Sequence, residues 1–269
     1  MNLRTPFLIA SALVGLSVAA PAVADSGADD ASLCVNRPGL ATPPCTLKPG
    51  EGTIELGMAT WDHTGAADGR TDTLTLADTT LRWGLGAATE IDVEMAGHVR
   101  QRTRDSGGVD VQTGRGDATI ALRHGFGGND APAAIQAFVT LPTGTGPGTA
   151  GDWGAGVLVP LALPLPAGLT LELTPEADAA VNASGTGRHF AYGSVVGLAH
   201  ALGPHLSGAV ELAAYRDNDP DGASTDARAA VSVAWQAGRT FQLDVELDHG
   251  LATGAPDSSV AFGMAWKFR

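Results

Sequence analysis

The chain is nearly without lysine. Lys48 and Lys267 stand alone in 269 residues, and 16 basic residues face 29 acidic ones for a formal net charge of −13. Such a balance argues against nucleic acid as a partner and, taken over the whole surface, against anionic lipid headgroups. Cysteine is almost missing as well. Cys34 and Cys45 are the pair, and two thiols fall short of the four N/S ligands usual for structural zinc, so no metal or other cofactor is expected. Long apolar runs are absent from the main body of the chain. "VLVPLALPLP" at 157–166 is short and broken by prolines, whereas a spanning helix needs about 20 residues. Because lipid tolerates only helices and closed barrels, any membrane insertion must use strands. Helical periodicity is scarce, yet hydrophobic residues make up 44%, which excludes a disordered acidic chain.

The first residues do carry a pattern. Arg4 forms a short basic region, residues 6–20 are apolar, and Ala22-Val23-Ala24 is a small-x-small cleavage motif. This layout predicts a secretory signal over 1–24, a periplasmic segment over 25–51 and a barrel over 52–269. Bulky Leu33 before Cys34 argues against lipoprotein processing. Export places Cys34 and Cys45 in an oxidising compartment, where a disulfide is expected to close a small loop.

The remainder alternates with period two. Ile91, Val93, Met95 and Val99 oppose Glu90, Asp92, Glu94, His98 and Arg100; Leu169, Leu171 and Leu173 oppose Glu172, Glu176 and Asp178; Phe241, Leu243, Val245 and Leu247 oppose Gln242, Asp244, Glu246 and Asp248. Twelve such segments are predicted, at 52–62, 72–83, 89–101, 115–125, 132–141, 154–163, 169–180, 189–202, 206–216, 227–236, 240–251 and 258–268. Tight turns ("GLGAA", "GGND", "PLPA", "GPH", "AGR") alternate with longer polar loops such as "HTGAADGR", "RTRDSGGVDVQT" and "DNDPDGASTD". Together these predict an all-β transmembrane antiparallel barrel with short periplasmic turns and longer extracellular loops. Val260, Phe262, Met264, Trp266 and Phe268 form the lipid face of its last strand, with aromatic residues near the strand ends as girdles.

"NRPGLATPPCTLKPGEGTIELGM" resembles the opening of the transporter-like outer-membrane proteins named for the MetA pathway of phenol degradation, through Arg37, Pro38, Gly39, Thr42, Leu47, Pro49 and Gly50. "LRWGLGAATEIDV", "GRGDATIALRHGF" with Gly114, Gly116 and Asp117, "TLPTGTG" at 140–146 and the final "FGMAWKF" extend the resemblance in order. It implies a barrel in the outer membrane of a Gram-negative bacterium and a transport role. The small-molecule solute is left unnamed. The terminal aromatic strand resembles the signal read by the barrel assembly machinery, with Arg269 a departure from it.

The inward candidates are Glu90, Asp92, Glu94, His98, Arg100, Asp117, Arg123, Glu172, Glu176, Asp178, Glu211, Arg228, Asp244, Glu246 and Asp248, with Arg82 and Lys267 on the same side. They allow a polar, cation-attracting pore or a filled interior in which charges pair across strands. The first reading is a channel for small, aromatic or hydrophobic compounds; the second is a structural or surface-binding barrel without an open path. Enzyme motifs do not compete with either. "HLS" at 205–207 lies beside a tight turn, "DNDPDGASTD" lacks the sixth-position glycine and closing glutamate of a calcium loop, and "GTGPG" lacks the Lys-Ser/Thr of a phosphate loop. No catalytic residue is expected, and outer-membrane lipid is the expected surrounding.

Overall fold

The computed structural model describes residues 33–67 and 69–268. The signal reading and residues 25–32 of the expected periplasmic segment lie outside the described residues. Among these, no helix is long and apolar enough to cross a membrane.

Fourteen strands form one sheet: β1 (Gly52–Ala66), β2 (Gly69–Gly86), β3 (Thr89–Asp105), β4 (Gly108–Gly114), β5 (Ala118–Gly125), β6 (Ala134–Leu141), β7 (Gly154–Leu158), β8 (Leu161–Pro164), β9 (Leu169–Val181), β10 (Arg188–Ala201), β11 (Leu206–Asp217), β12 (Ser224–Ala237), β13 (Phe241–Gly250) and β14 (Ser258–Phe268). They make twelve staves. β4 and β5 run in succession along β3, and β7 and β8 run in succession along β9. The gap between β7 and β8 holds Pro160, which has no N–H to give a ladder. Every pairing is antiparallel, and β14 closes on β1 from Gly52↔Phe268 to His63↔Ser258. The ring is completed where β9 meets β10. Closure leaves no long free edge, which is what a sheet in hydrocarbon requires.

Alternation sorts the two faces. Thr53, Glu55, Arg82, Glu90, Asp92, Arg123, Glu211, Ser232, Asp244 and Ala265 are buried toward the inside, while Leu81, Val93, Met95, Leu122, Val210, Leu212, Val231, Leu247 and Phe262 are exposed on the outside. Trp83, Trp235 and Trp266 mark the outer face at the end where β1 begins and β14 finishes, and Trp61 and Trp153 mark the other end. Phe268 packs against Trp83 and Trp266, with ring centroids 6.3 and 5.8 Å apart. The last strand thus ends inside an aromatic girdle.

Two sequence expectations need correction. Most of the stretches expected as loops at 63–70 and 102–113 is strand: 63–66, 69–70, 102–105 and 108–113. The β1–β2 ladder runs out to Ala66↔Gly69 and the β3–β4 ladder to Asp105↔Gly108. Their polarity marks strands extending beyond the apolar band. The second correction concerns facing. The ladders skip Met58, Ala77 and Gly97, which stand opposite one another across β1, β2 and β3. Ala77 has φ of 54°, and a shift in register separates Gly57 from Ala59 against β14. An extra residue in a strand sends every later side chain to the opposite face. Beyond this row Val99, 7% exposed, pairs with Thr75 inside, while His98 and Arg100 pair with Leu76 and Leu74. Leu74 is itself opposite Trp61. His98 and Arg100 therefore face outward, not into the lumen.

Candidate functional site: an occupied lumen

Residues 34–47 lie among the inward side chains, and 48–51 lead from them to the start of β1. The segment is proline-rich and lacks period two, so its backbone N–H groups are free to bond elsewhere. Carboxylates of the wall accept them. Glu55 takes the N–H of Asn36 at 3.0 and 2.8 Å, Glu246 that of Gly39 at 2.7 Å, Glu211 those of Leu40 and Ala41 at 2.9 and 2.8 Å, and Glu90 that of Leu47 at 2.6 Å. On β9, Thr174 Oγ1 accepts from Thr42 N–H at 3.1 Å. Arg37 donates to Asp244 at 3.1 Å, and Gln242 donates to the Arg37 carbonyl at 2.7 Å. These contacts come from β1, β3, β9, β11 and β13, so the segment crosses the lumen. Leu40 and Ala41 seat it against Val195, Ala213 and Tyr215.

Cys34 and Cys45 are joined by a disulfide, with Cα atoms 5.9 Å apart. Two arginines with 0% side-chain exposure hold both ends of that loop. Arg82 donates to the Cys34 carbonyl at 2.9 Å and bridges Glu55 at 3.0 Å and Glu90 at 2.6 Å. Arg123 donates to the Pro43 and Cys45 carbonyls at 3.3 Å each, to Asn36 Oδ1 at 2.9 Å and to Gln136 Oε1 at 2.7 Å. It also lies 3.3 Å from Glu90 and 3.4 Å from Asp92. Glu55, Glu90 and Asp92 thus surround two guanidiniums, and N–H groups of the segment add hydrogen bonds to Glu55 and Glu90.

The other candidates fall into distinct places. Glu94 faces inward in the same row as Glu55 and Thr80. Glu172 and Glu211 flank Gly197, where a Cβ would lie 3.4 Å from the Glu172 carboxylate and 2.9 Å from Glu211 Cγ. Glu176 accepts from Tyr215 Oη at 3.5 Å, with Asp178 farther along β9. Arg228 pairs with Asp226, and β12 and β13 carry Arg228 and Asp248 on neighbouring rows. Asp117 lies between β4 and β5 and pins the β6–β7 connection by accepting from the N–H groups of Gly144 at 2.7 Å and Ala150 at 2.8 Å. Lys267 pairs with Glu51 at 3.0 Å; partial burial raises the Glu51 carboxyl, and the Lys267 ammonium together with the N–H and charge of Lys48 outweighs it, holding the group below its ordinary range. At the end where β9 passes into β10, His189 lies 2.6 Å from Asp217 and 3.5 Å from Asp219, a set of metal-ligand composition. His189 Nδ1 also meets Asn182 Oδ1 at 3.0 Å. Backbone N–H groups of Asp221 and Ala183 hold the Asp219 carboxyl below its usual range.

Between the segment and the wall lies a cavity of about 260 Å³. Val35, Pro38, Ala41 and Pro43 line it from the segment, and Glu172, Ala209, Ser232, Ala234 and Gln242 line it from β9 and β11–β13. Sequence reasoning missed the segment as an internal element, and with it the roles of Asn36, Thr174 and Gln136; Arg37 and Gln242 were singled out, but not as partners of one another. The available signal was the excess of inward carboxylates over inward arginines, which calls for donors from outside the strands.

The family model described as "Putative MetA-pathway of phenol degradation" matches residues 35–268. Among solved structures, an outer membrane channel from Pseudomonas putida F1 superposes with a TM-score of 0.65 at 16% identity, over 86% of this chain and 99% of that one. The β domain of the Bordetella autotransporter BrkA gives 0.54 at 11% identity, over 82% and 100%. The translocator domain of NalP from Neisseria meningitidis gives 0.53 at 14%, over 82% and 90%. These likenesses are of fold. No protein with a curated description matches the chain.

Proposed function

This chain belongs to the family described as "Putative MetA-pathway of phenol degradation", and from that premise we propose that this outer-membrane barrel is a passive channel for small, weakly polar or aromatic compounds. Both termini face the periplasm, the tight-turn end lies there, and the extended hairpins stand outside. The closing strand, Val260 to Phe268, is the segment the barrel assembly machinery reads. The chain has no catalytic role.

The observation that carries this reading is the occupied lumen. A segment held by Glu55, Glu90, Glu211, Asp244 and Glu246 blocks a wide aqueous path. The cavity beside it, about 260 Å³, exceeds the roughly 150 Å³ of an apolar cavity that accepts benzene. Single-ring solutes fit that space, whereas hydrated oligosaccharides do not. The test is uptake of a labelled single-ring aromatic by cells with and without the protein, beside a disaccharide of similar diffusivity. Faster uptake of the aromatic alone supports the proposal. Equal rates for both cells would leave a filled barrel with a structural or surface-binding role.

A further inference from the structure

The flip in facing at Met58, Ala77 and Gly97 places a cluster of charge where the sequence pattern did not. Beyond that row, Arg70 on β2 and Arg100, Arg102 and Arg104 on β3 all share the outer face, through the pairs Leu74↔Arg100, Asp72↔Arg102 and Arg70↔Arg104. Trp61 and His63 of β1 lie opposite Leu74 and Asp72 on the same face. A shallow depression is lined by Trp61, His63, Arg70, Leu74, Arg100 and Arg102. One carboxylate stands in it. Asp72 is engaged by His63 at 2.9 Å and Arg70 at 3.3 Å. Among the described residues, Arg100, Arg102 and Arg104 have no ion-pair partner.

A chain with 16 basic residues in all has put four of them on one side of one hairpin. The height matters as much as the number. Arg100 is in the row of Trp61, a girdle tryptophan of that end, 41% exposed. At about 3.4 Å per residue, Arg102 and Arg104 follow roughly 7 and 14 Å farther along the strand. The guanidiniums thus begin where the apolar band stops. Val109 and Val111 of β4, exposed on the same outer face opposite Arg104 and Arg102, give that surface an apolar flank.

We propose that this outer face of the β1–β4 extension binds the phosphorylated glycolipid headgroup of the outer leaflet, with Arg100, Arg102 and Arg104 on its phosphates and Trp61, Val109 and Val111 on its apolar parts. Guanidinium forks match phosphate oxygens two at a time, and the row of three offers successive anchors to phosphates that stand at and beyond the edge of the apolar band. The whole-chain charge opposes anionic headgroups on average, but contact is local, and screening confines it to about 10 Å at 0.1 M salt. The inference rests on the orientation proposed above.

The test uses the full-length protein in detergent micelles, where sidedness and solute passage play no part, so its failure is separate from failure of the channel reading. Retention of bisphosphorylated lipid A is measured by native mass spectrometry for the wild type, for the triple variant Arg100→Gln, Arg102→Gln, Arg104→Gln and, in case the triple variant misfolds, for Arg102→Glu alone. Folding is checked by heat-modifiable gel mobility. The expected result is at least a tenfold loss of retained lipid A in the triple variant and a clear loss for Arg102→Glu. Dephosphorylated lipid A should bind the wild type no better than lipid A binds the triple variant. Equal retention by folded wild type and variants, or equal binding of the dephosphorylated lipid, would overturn the proposal. Full displacement by inorganic phosphate at the lipid's own concentration would also overturn it, because the site would then be one for free anions.

Discussion

Replacing Arg123 by alanine should unseat the internal segment without dismantling the barrel. Arg123 donates to Pro43, Cys45, Asn36 and Gln136, and it lies within 3.4 Å of Glu90 and Asp92. Its side chain is wholly buried. Removing one partner of a buried ionic group costs about 3–5 kcal/mol, because the opposite charges are left uncompensated. At about 1.4 kcal/mol per tenfold, the ratio of seated to unseated segment falls by a factor of roughly 10² to 4 × 10³. The cost lands on the segment rather than the sheet, since the β3–β5 and β5–β6 ladders are backbone bonds that the substitution does not touch. The assay is amide exchange in micelles. The N–H groups of Leu40, Ala41 and Leu47, each bonded to a wall carboxylate, should lose protection by that factor while amides of β13 and β14 keep theirs. Arg123→Lys should recover only part, since an ammonium keeps the charge but not the fork. Unchanged protection at Leu40, Ala41 and Leu47 in a folded Arg123→Ala protein would refute the reasoning.

Met95→Arg puts a cation into hydrocarbon at about 2–4 kcal/mol near the midplane, while Glu94→Arg faces the lumen; folding yield into vesicles should fall for the first and hold for the second, and equal defects would contradict the assigned facing. A cysteine at Arg100 should react from outside the cell with a bulky maleimide and a cysteine at Val99 should not, since the two residues face opposite ways. Reducing Cys34–Cys45, which are 11 positions apart, should cost no more than about 3 kcal/mol; segment amides would exchange faster after reduction, with barrel mobility on gels unchanged. The Asp219 carboxyl is depressed by the N–H groups of Asp221 and Ala183, so its contribution is present above the ordinary carboxylate value of about 3.9 and is lost as pH falls through the lower folded value. Proteolysis within 218–223 should accelerate only below that range, and an Asp219→Asn protein should show no such acid step.

Much of the barrel was legible because a tilted strand in a bilayer is forced to alternate. The twelve segments correspond to the twelve staves, including the one divided at Pro160 and the one divided after Gly114. What stayed hidden was non-local. The flip at Gly97 leaves no mark that a glycine in any strand would not leave; only the opposition of Met58, Ala77 and Gly97 makes it a feature of three strands. His98 and Arg100 were misplaced for that reason alone. The internal segment was hidden for another reason. Its sequence reads as a coil, and coil residues are read as surface because their backbone groups need partners. Here the partners are Glu55, Glu90, Glu211 and Glu246, four residues scattered over 192 positions from 55 to 246.

The most direct test of the account is single-channel conductance in planar bilayers for the full-length protein and for a chain lacking residues 33–48. The account predicts little or no current from the intact protein and a stable, larger conductance from the truncated one, because the wall carboxylates then face an open lumen. A large steady conductance from the intact protein, or no change on truncation of a chain shown to insert, would contradict it.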